Sequence, residues 1–387
     1  MKYKIVCPCL FGLESVLKQE VVRMGGEEIT ATDGRVSFLG DAHMIARANL
    51  GLRTAERVLI CLGEFRADTF TELFDYTCAL PFEQFIGRKD RFPVKGWSLD
   101  SKLHSVPDCQ AIIKKAIVRR LGGKYGISWF EETGSLFQIR FTIRKDSVSI
   151  MIDTSGEGLH KRGYRKNSVL APIKETLAAG MIDLARVYDD SFLCDPFCGS
   201  GTILIEGAMH AMRIAPGLRR RFCCEEWEII PRRVFNDERQ RAFDLIRRDA
   251  AFEAVGYDID ADAVELCSEN AKKAGVGSRI HVSCQPVSQL QFSRERAVII
   301  CNPPYGERLL ERKEAYGTYR EMGKAFRMLD ARKYIISPSD EFEQLYGQPA
   351  DRRRKLYNGM MRCQLFCYNG KREPKAQPPA ARKAAGE

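Results

Sequence analysis

The chain has 14 cysteines but no CxxC pair. Cys7 and Cys9 are one residue apart, Cys223 and Cys224 are adjacent, and Cys363 and Cys367 sit four apart. The five histidines, His43, His104, His160, His210 and His281, are scattered. A structural zinc site needs clustered ligand pairs, so no metal is expected. The cysteines read as reduced, buried small hydrophobes of the cytosol. No stretch approaches the ~18 uninterrupted apolar residues of a membrane span. The N-terminus, MKYKIVCPCLFGLESVLKQE, meets Glu14 and Glu20 too early for a signal peptide. A cytoplasmic protein with no membrane partner is the expectation. Two phosphate-binding loops are also missing. A Walker A loop needs Gly-Lys-Ser/Thr, and here Thr202 follows Gly201 with no Lys. A dinucleotide fingerprint needs G-x-G-x-x-G, and Gly199-x-Gly201 leads to Leu204.

What is present is the composition of a folded protein: 387 residues, 44% hydrophobic and 29% charged. That length suggests two or three domains. Lys and Arg number 61 against 51 Asp and Glu, a net charge of +10 that favours a polyanionic partner such as nucleic acid. Residues 1–65 predict strands at 3–7, 28–31, 35–39 and 57–62, with helices at 13–24 and 42–50. That order, β-α-β-β-α-β, is ferredoxin-like. Residues 66–155 predict a second small α/β block. It has helices at 68–80 and 109–121, the latter ended by Gly122-Gly123. An extended segment at 92–99 and a hairpin of 136–143 with 148–153 complete it. From 156 to 370 strands alternate with helices, the sign of a mostly parallel sheet. Residues 371–387 are Pro- and Ala-rich with five basic and two acidic residues, and read as a disordered basic tail.

The third block holds two chemical motifs. A short apolar strand at 191–194 runs into Asp195-Pro196-Phe197-Cys198-Gly199-Ser200-Gly201-Thr202, and a helix follows. A glycine loop between strand and helix lets a ligand approach the backbone at the carboxyl edge of a parallel sheet. A second strand ends in Tyr257-Asp258-Ile259-Asp260. Asp258 is placed to grip ribose hydroxyls, and Asp260 to cap the next helix. The second motif is a buried strand at 298–301 leading directly into Asn302-Pro303-Pro304-Tyr305. Its two prolines stop the strand and stiffen the turn.

These two motifs resemble the cofactor and catalytic motifs of class I S-adenosylmethionine (SAM)-dependent methyltransferases acting on exocyclic amino groups, adenine N6 and guanine N2 among them. The residue types suit that chemistry. An aromatic amine is a poor nucleophile because its lone pair is delocalised into the base. The Asn302 side-chain oxygen and the Pro303 carbonyl can accept its hydrogens, Pro304 holds the turn, and Tyr305 can stack on the extruded base. Residues 159–165 (Leu-His-Lys-Arg-Gly-Tyr-Arg), 171–179 and 214–227, with 302–308, resemble the THUMP-containing ribosomal RNA guanine-N2 methyltransferases. The match is to the N-terminal half of the bifunctional members that modify two guanines of 23S ribosomal RNA.

The resemblance covers nearly the whole chain. It implies a Rossmann-like class I methyltransferase domain at 156–370, preceded by a ferredoxin-like subdomain at 1–65 and a THUMP domain at 66–155. The cofactor is SAM, held by Asp195, Phe197, Gly199, Gly201 and Asp258. The partner is large-subunit ribosomal RNA, and the second activity of the bifunctional enzymes is not expected. One departure stands out: many methyltransferases carry an acid after the third strand for the adenine amine, and here that stretch, 283–288, offers Gln285 instead. Candidate RNA contacts are Lys114 and Lys115 on the helix of the second block, and Lys161, Arg162 and Arg165 around Tyr164. Further basic clusters lie at 219–221, 232–233 and 352–355. Two rival readings stand beside this one: an adenine-N6 methyltransferase on RNA or DNA, and a non-catalytic RNA-binding assembly factor.

Overall fold

The computed structural model describes residues 1–165, 173–305 and 309–369, without the side chains of 309–312. Lys166, residues 171–172 and 306–308, and the expected basic tail lie outside the described residues. The first part of the chain gives β1 (Tyr3–Pro8), α1 (Glu14–Met24), β2 (Glu27–Thr32), β3 (Arg35–Gly40), α2 (Ala42–Gly51) and β4 (Leu59–Arg66). There follow α3 (Phe70–Ala79), β5 (Val94–Leu99), α4 (Val106–Tyr125), β6 (Ile139–Arg144) and β7 (Ser147–Asp153). The period-2 pattern of these strands selects one buried face: in β3, Val36 and Phe38 are buried while Arg35 and Ser37 are not. Helix α4 runs through Gly122-Gly123 to Tyr125, beyond the expected stop. The Gly122 carbonyl is used by the true helix end, accepting from the Gly126 amide at 2.9 Å and the Ile127 amide at 3.3 Å.

The two N-terminal blocks merge into one sheet. Its order is β2-β3-β1-β4-β7-β6-β5, so β4 of the ferredoxin-like unit pairs with β7 of the next block. One hydrophobic core runs beneath both. Two units that read as separate in the sequence therefore fold as one continuous platform.

The catalytic part comprises α5 (Glu175–Leu184), β8 (Phe192–Asp195), α6 (Thr202–Ala211), α7 (Arg232–Asp244), β9 (Glu253–Asp258), α8 (Ala261–Ala274), β10 (Ile280–Cys284), β11 (Ala297–Cys301), α9 (Leu309–Arg327), β12 (Arg332–Ser337), α10 (Phe342–Tyr346), β13 (Arg352–Asn358) and β14 (Met361–Tyr368). The sheet order is β10-β9-β8-β11-β12-β14-β13. The first five strands are parallel, and β14 is antiparallel to both its neighbours. Every residue of β8 and β11 is buried, as expected for parallel strands covered on both faces.

The segment between α6 and β9 leaves the catalytic core and packs on the N-terminal platform. Phe222, Trp227, Val234 and Phe235 belong to the platform's core. Trp227 stacks on Phe137 with centroids 4.3 Å apart, and its indole N–H donates to the Leu136 carbonyl at 3.0 Å. At the other side α1 is shared, with Leu17 and Val21 in the platform core and Val16 in the catalytic core.

Because Trp227 is buried, stacked and hydrogen-bonded at this junction, Trp227→Ala is expected to lose about 3–5 kcal/mol of stability. Urea unfolding of the purified variant measures it; an unchanged midpoint would show that the insertion is not a fastening between the two parts.

Candidate active site

The four parallel strands β10, β9, β8 and β11 lie side by side and end at one edge. Each delivers a polar side chain there. Asp195 ends β8, Asp258 ends β9, Gln285 follows β10 and Asn302 follows β11. This is the edge at which open α/β sheets hold ligands.

The glycine loop is fastened to β9 by its own backbone. The Cys198 amide donates to the Tyr257 carbonyl at 2.9 Å, and the Gly199 amide donates to Asp258 Oδ2 at 2.9 Å. The Asn270 side chain of α8 donates to the Ser200 carbonyl at 3.0 Å. Gly201 has φ +82°, and a Cβ there would lie 2.4 Å from Cys267 Sγ. Glycine is required at that position by the close approach of the loop to α8, before any ligand is considered. Phe197 is half-buried and packs against the apolar cluster on the α9 side of the sheet, which includes Val287.

Asp258 accepts twice from backbone: Gly199 at 2.9 Å and the Asp260 amide at 3.1 Å. These bonds fix its carboxylate, and each oxygen keeps a further lone pair for a ligand hydroxyl. Asp260 accepts from the Asp262 amide at 3.0 Å and so caps α8. Gln285 anchors to the Asp258 carbonyl through its own amide at 2.9 Å, and its side-chain NH2 donates to the Gln289 carbonyl at 2.8 Å. That leaves the Gln285 side-chain oxygen as an acceptor.

Asp195 is 1% exposed and accepts from the Phe197 amide at 3.1 Å. Burial pushes its carboxyl up to about 8, with the Asp258 charge adding to the rise. Among the described residues no arginine or lysine pairs with it. A buried carboxyl at the ligand edge without a counter-cation suits a cationic ligand group, and SAM carries a sulfonium and an ammonium. The residues present therefore fit that cofactor.

At the end of β11, Pro303 is buried and Pro304 exposed. The Tyr305 hydroxyl donates to Asn302 Oδ1. The hydroxyl in turn accepts from Asn358 Nδ2 at 3.1 Å. The chain Asn358–Tyr305–Asn302 holds the Asn302 oxygen in place across the sheet edge. Asn358 carries no motif signal, since it lies 53 residues after Tyr305 and meets it only through the position of β13.

The basic residues divide. Lys115 and Lys161 are exposed, Lys161 pairing with Glu157 at 2.9 Å. Arg162 is a correction: it is 5% exposed and cannot meet a phosphate. Its guanidinium bonds the Leu159 carbonyl at 2.7 Å, the Arg53 carbonyl at 2.5 Å and Glu206 of α6 at 3.3 Å. Arg165 also points inward, to Thr202 Oγ1 at 2.6 Å and Glu175 at 3.3 Å, so it braces the start of α6. Lys114 is half-buried, bonded to Glu132 and 3.5 Å from the Phe92 ring centroid. Arg220 ties down three carbonyls, those of Glu157, Gly158 and Lys161, at 2.7–2.9 Å. Sequence reading gave that residue only as part of a basic run.

The raised Asp195 carboxyl makes stability depend on pH. The folded state holds this proton more tightly than the unfolded chain, whose aspartate titrates near about 3.9. Its contribution is complete below that value and is lost as pH rises towards about 8. Asp195→Asn keeps an acceptor for the Phe197 amide and carries no charge. Denaturation midpoints at stepped pH are expected to show wild type falling relative to the variant across that window, then levelling. Parallel curves would refute the linkage.

Residues 162–366 match the model of the RMKL-like methyltransferase domain, residues 4–59 the RlmL ferredoxin-like domain and residues 67–153 the THUMP domain. The chain is 43% identical to the Bacillus subtilis (strain 168) protein named "Putative RNA methyltransferase YpsC", over 96% of this chain and 97% of that one. It is 30% identical to "Ribosomal RNA large subunit methyltransferase K/L" of Desulfotalea psychrophila over 94% of its own length, spanning about half (52%) of that longer protein. The crystal structure of "SMU.472, a putative methyltransferase complexed with SAH" superimposes with a TM-score of 0.91 at 38% identity, covering 96% of this chain and 99% of that one. With a THUMP-bearing platform, a class I sheet and a ligand edge suited to SAM, this chain belongs to the RMKL-like family of SAM-dependent methyltransferases.

Proposed function

We propose that the chain transfers a methyl group from SAM to the exocyclic N2 amine of a guanine in 23S ribosomal RNA of the large subunit. The observation that carries this reading is the Asn302-Pro303-Pro304-Tyr305 turn at the same sheet edge as the Asp195 loop and Asp258, behind a platform with a THUMP domain. The name of the K/L relatives supports the RNA class.

Asp195, Phe197, Gly199 and Gly201 form the wall that would hold the cofactor, Asp258 would accept from its ribose hydroxyls, and the Gln285 oxygen would accept from its adenine amine. When bound, SAM supplies a methyl group activated by its sulfonium. Asn302 Oδ1 and the Pro303 carbonyl accept the two amine hydrogens, so the nitrogen lone pair is drawn out of the base π-system and aimed. No strong base is needed before transfer, because the amine becomes acidic only once methylated. Tyr305 shapes the pocket through its ring and fixes Asn302 through its hydroxyl. Orientation of this kind can contribute up to about 7–11 kcal/mol. The exposed Lys115 and Lys161 would meet RNA phosphate, a sequence-independent contribution to binding.

Asn302→Ala should lower methyl transfer by about 10²-fold or more, with cofactor affinity unchanged by calorimetry. Asp258→Ala should weaken cofactor binding by about tenfold or more, the size of a lost hydrogen bond to a charged group. Near-normal turnover in the first variant would sink the mechanism. Mass spectrometry of ribosomal RNA nucleosides from a deletion strain should show loss of N2-methylguanosine. Loss of N6-methyladenosine instead would move the assignment to the other exocyclic amine.

A further inference from the structure

The loop between β1 and α1 carries Phe11 on its surface. The ring is 52% exposed, yet the loop beneath it is rigidly held. The Gly12 and Gly34 amides both donate to the Glu14 carboxylate, at 2.9 and 3.0 Å. From the other side, Arg354 of β13 donates to the Gly12 carbonyl at 2.8 and 3.1 Å and to Ser15 Oγ at 2.8 Å. Gly12 has φ +93°, and a Cβ there would lie 2.4 Å from the Lys355 carbonyl oxygen, so the loop lies directly on β13.

This contact brings Phe11 to Tyr357, with ring centroids 5.9 Å apart at 61°. The Lys355 ammonium sits 5.3 Å from the Tyr357 centroid. Tyr357 immediately precedes Asn358, whose side chain reaches the Tyr305 hydroxyl. An aromatic pair, Phe11 exposed and Tyr357 half-buried, with a cation beside it thus spans the junction of the platform and the catalytic sheet, one residue along the chain from the hydrogen-bond chain to Asn302.

We propose that Phe11 and Tyr357, with Lys355, form a stacking platform for a nucleobase that flanks the target nucleotide in a single-stranded stretch of RNA. This rests on the reading of the chain as an RNA methyltransferase. The chemistry follows from extrusion of the target. Flipping a base into the Asn302 pocket removes the stacking partner of its neighbour. A pre-ordered aromatic face replaces that partner with little loss of side-chain entropy on binding. Base–aromatic stacking suits any sequence, and the adjacent ammonium suits the backbone phosphate. A protein partner is a poorer fit, because two rings and a lysine fall far short of the roughly 800 Å² per side of a stable protein interface.

The test uses the full chain and protein-free 23S ribosomal RNA. Dissociation constants and single-turnover methylation are measured for wild type, Phe11→Leu, Tyr357→Leu and Tyr357→Phe, with SAM affinity and the unfolding midpoint as controls. Both leucine variants are expected to bind RNA about tenfold or more weakly, the size of one lost base stack. Tyr357→Phe keeps the ring and should bind as wild type does, and SAM affinity should be unchanged throughout. Leucine variants with wild-type RNA affinity and intact methylation would overturn the platform while leaving the functional reading in place. A folded, SAM-binding wild type that neither binds nor methylates the RNA would overturn the functional reading, and the platform with it.

Discussion

The arrangement depends on one buried ion pair. Arg162 and Glu206 have side chains 2% and 0% exposed, and they meet at 3.3 Å. Arg162 belongs to the segment that leaves the platform, and Glu206 to the helix that follows the glycine loop. Two further guanidinium hydrogens go to the carbonyls of Leu159 and of Arg53 on the platform side, and the Tyr164 hydroxyl donates to Glu206 at 3.2 Å. An ion pair this deep adds little net stability over an apolar pair of the same shape. Loss of one partner leaves a stranded charge costing about 3–5 kcal/mol. The pair therefore acts as a register device: α6 takes one position relative to the platform, and the loop at its start follows.

That positioning matters because the reaction is one of alignment. Asp195, Asp258, Gln285 and Asn302 each extend only a few atoms from a strand end, and their separation is set by the strand spacing. The parallel sheet supplies four fixed points along one edge, and backbone amides lock two of the side chains before any ligand arrives. Tyr305 and Asn358 extend the same logic to the nucleophile side. A short polar chain, anchored in a hairpin, holds the Asn302 oxygen, which in the proposed reaction accepts from the amine.

Much of this was legible in the sequence. The strand–glycine loop–helix pattern located β8 and α6, and the apolar run before Asn302 located β11. Asp260 was read as a cap and is one. These features are local, written in residues a few positions apart. What escaped was set by distance. Arg162 and Lys161 are neighbours of like charge, and only the presence of Glu206 above one of them turns it inward. The merging of two N-terminal blocks into one sheet depends on an edge-to-edge pairing of β4 with β7 that no turn signal announces. A second demand on Gly201, beyond ligand access, comes from Cys267 on another element, which leaves no room for a Cβ. Helix α4 outran its glycine pair for a local reason: its left-handed cap comes at Gly126, and the Gly126 and Ile127 amides close on the Gly122 carbonyl.

The strand order of the catalytic sheet has a consequence for how the molecule is made. β14 comes after β13 in the chain but lies between β12 and β13. On the ribosome, β13 has no neighbour to join until β14 has emerged and inserted beside β12. Asn358 and the Arg354 clamp on Gly12, a contact 342 residues apart in the chain, wait for the same event. The platform and glycine loop are thus synthesised before the strand that completes the edge around Asn302. The sheet order makes that edge depend on the later-synthesised β14.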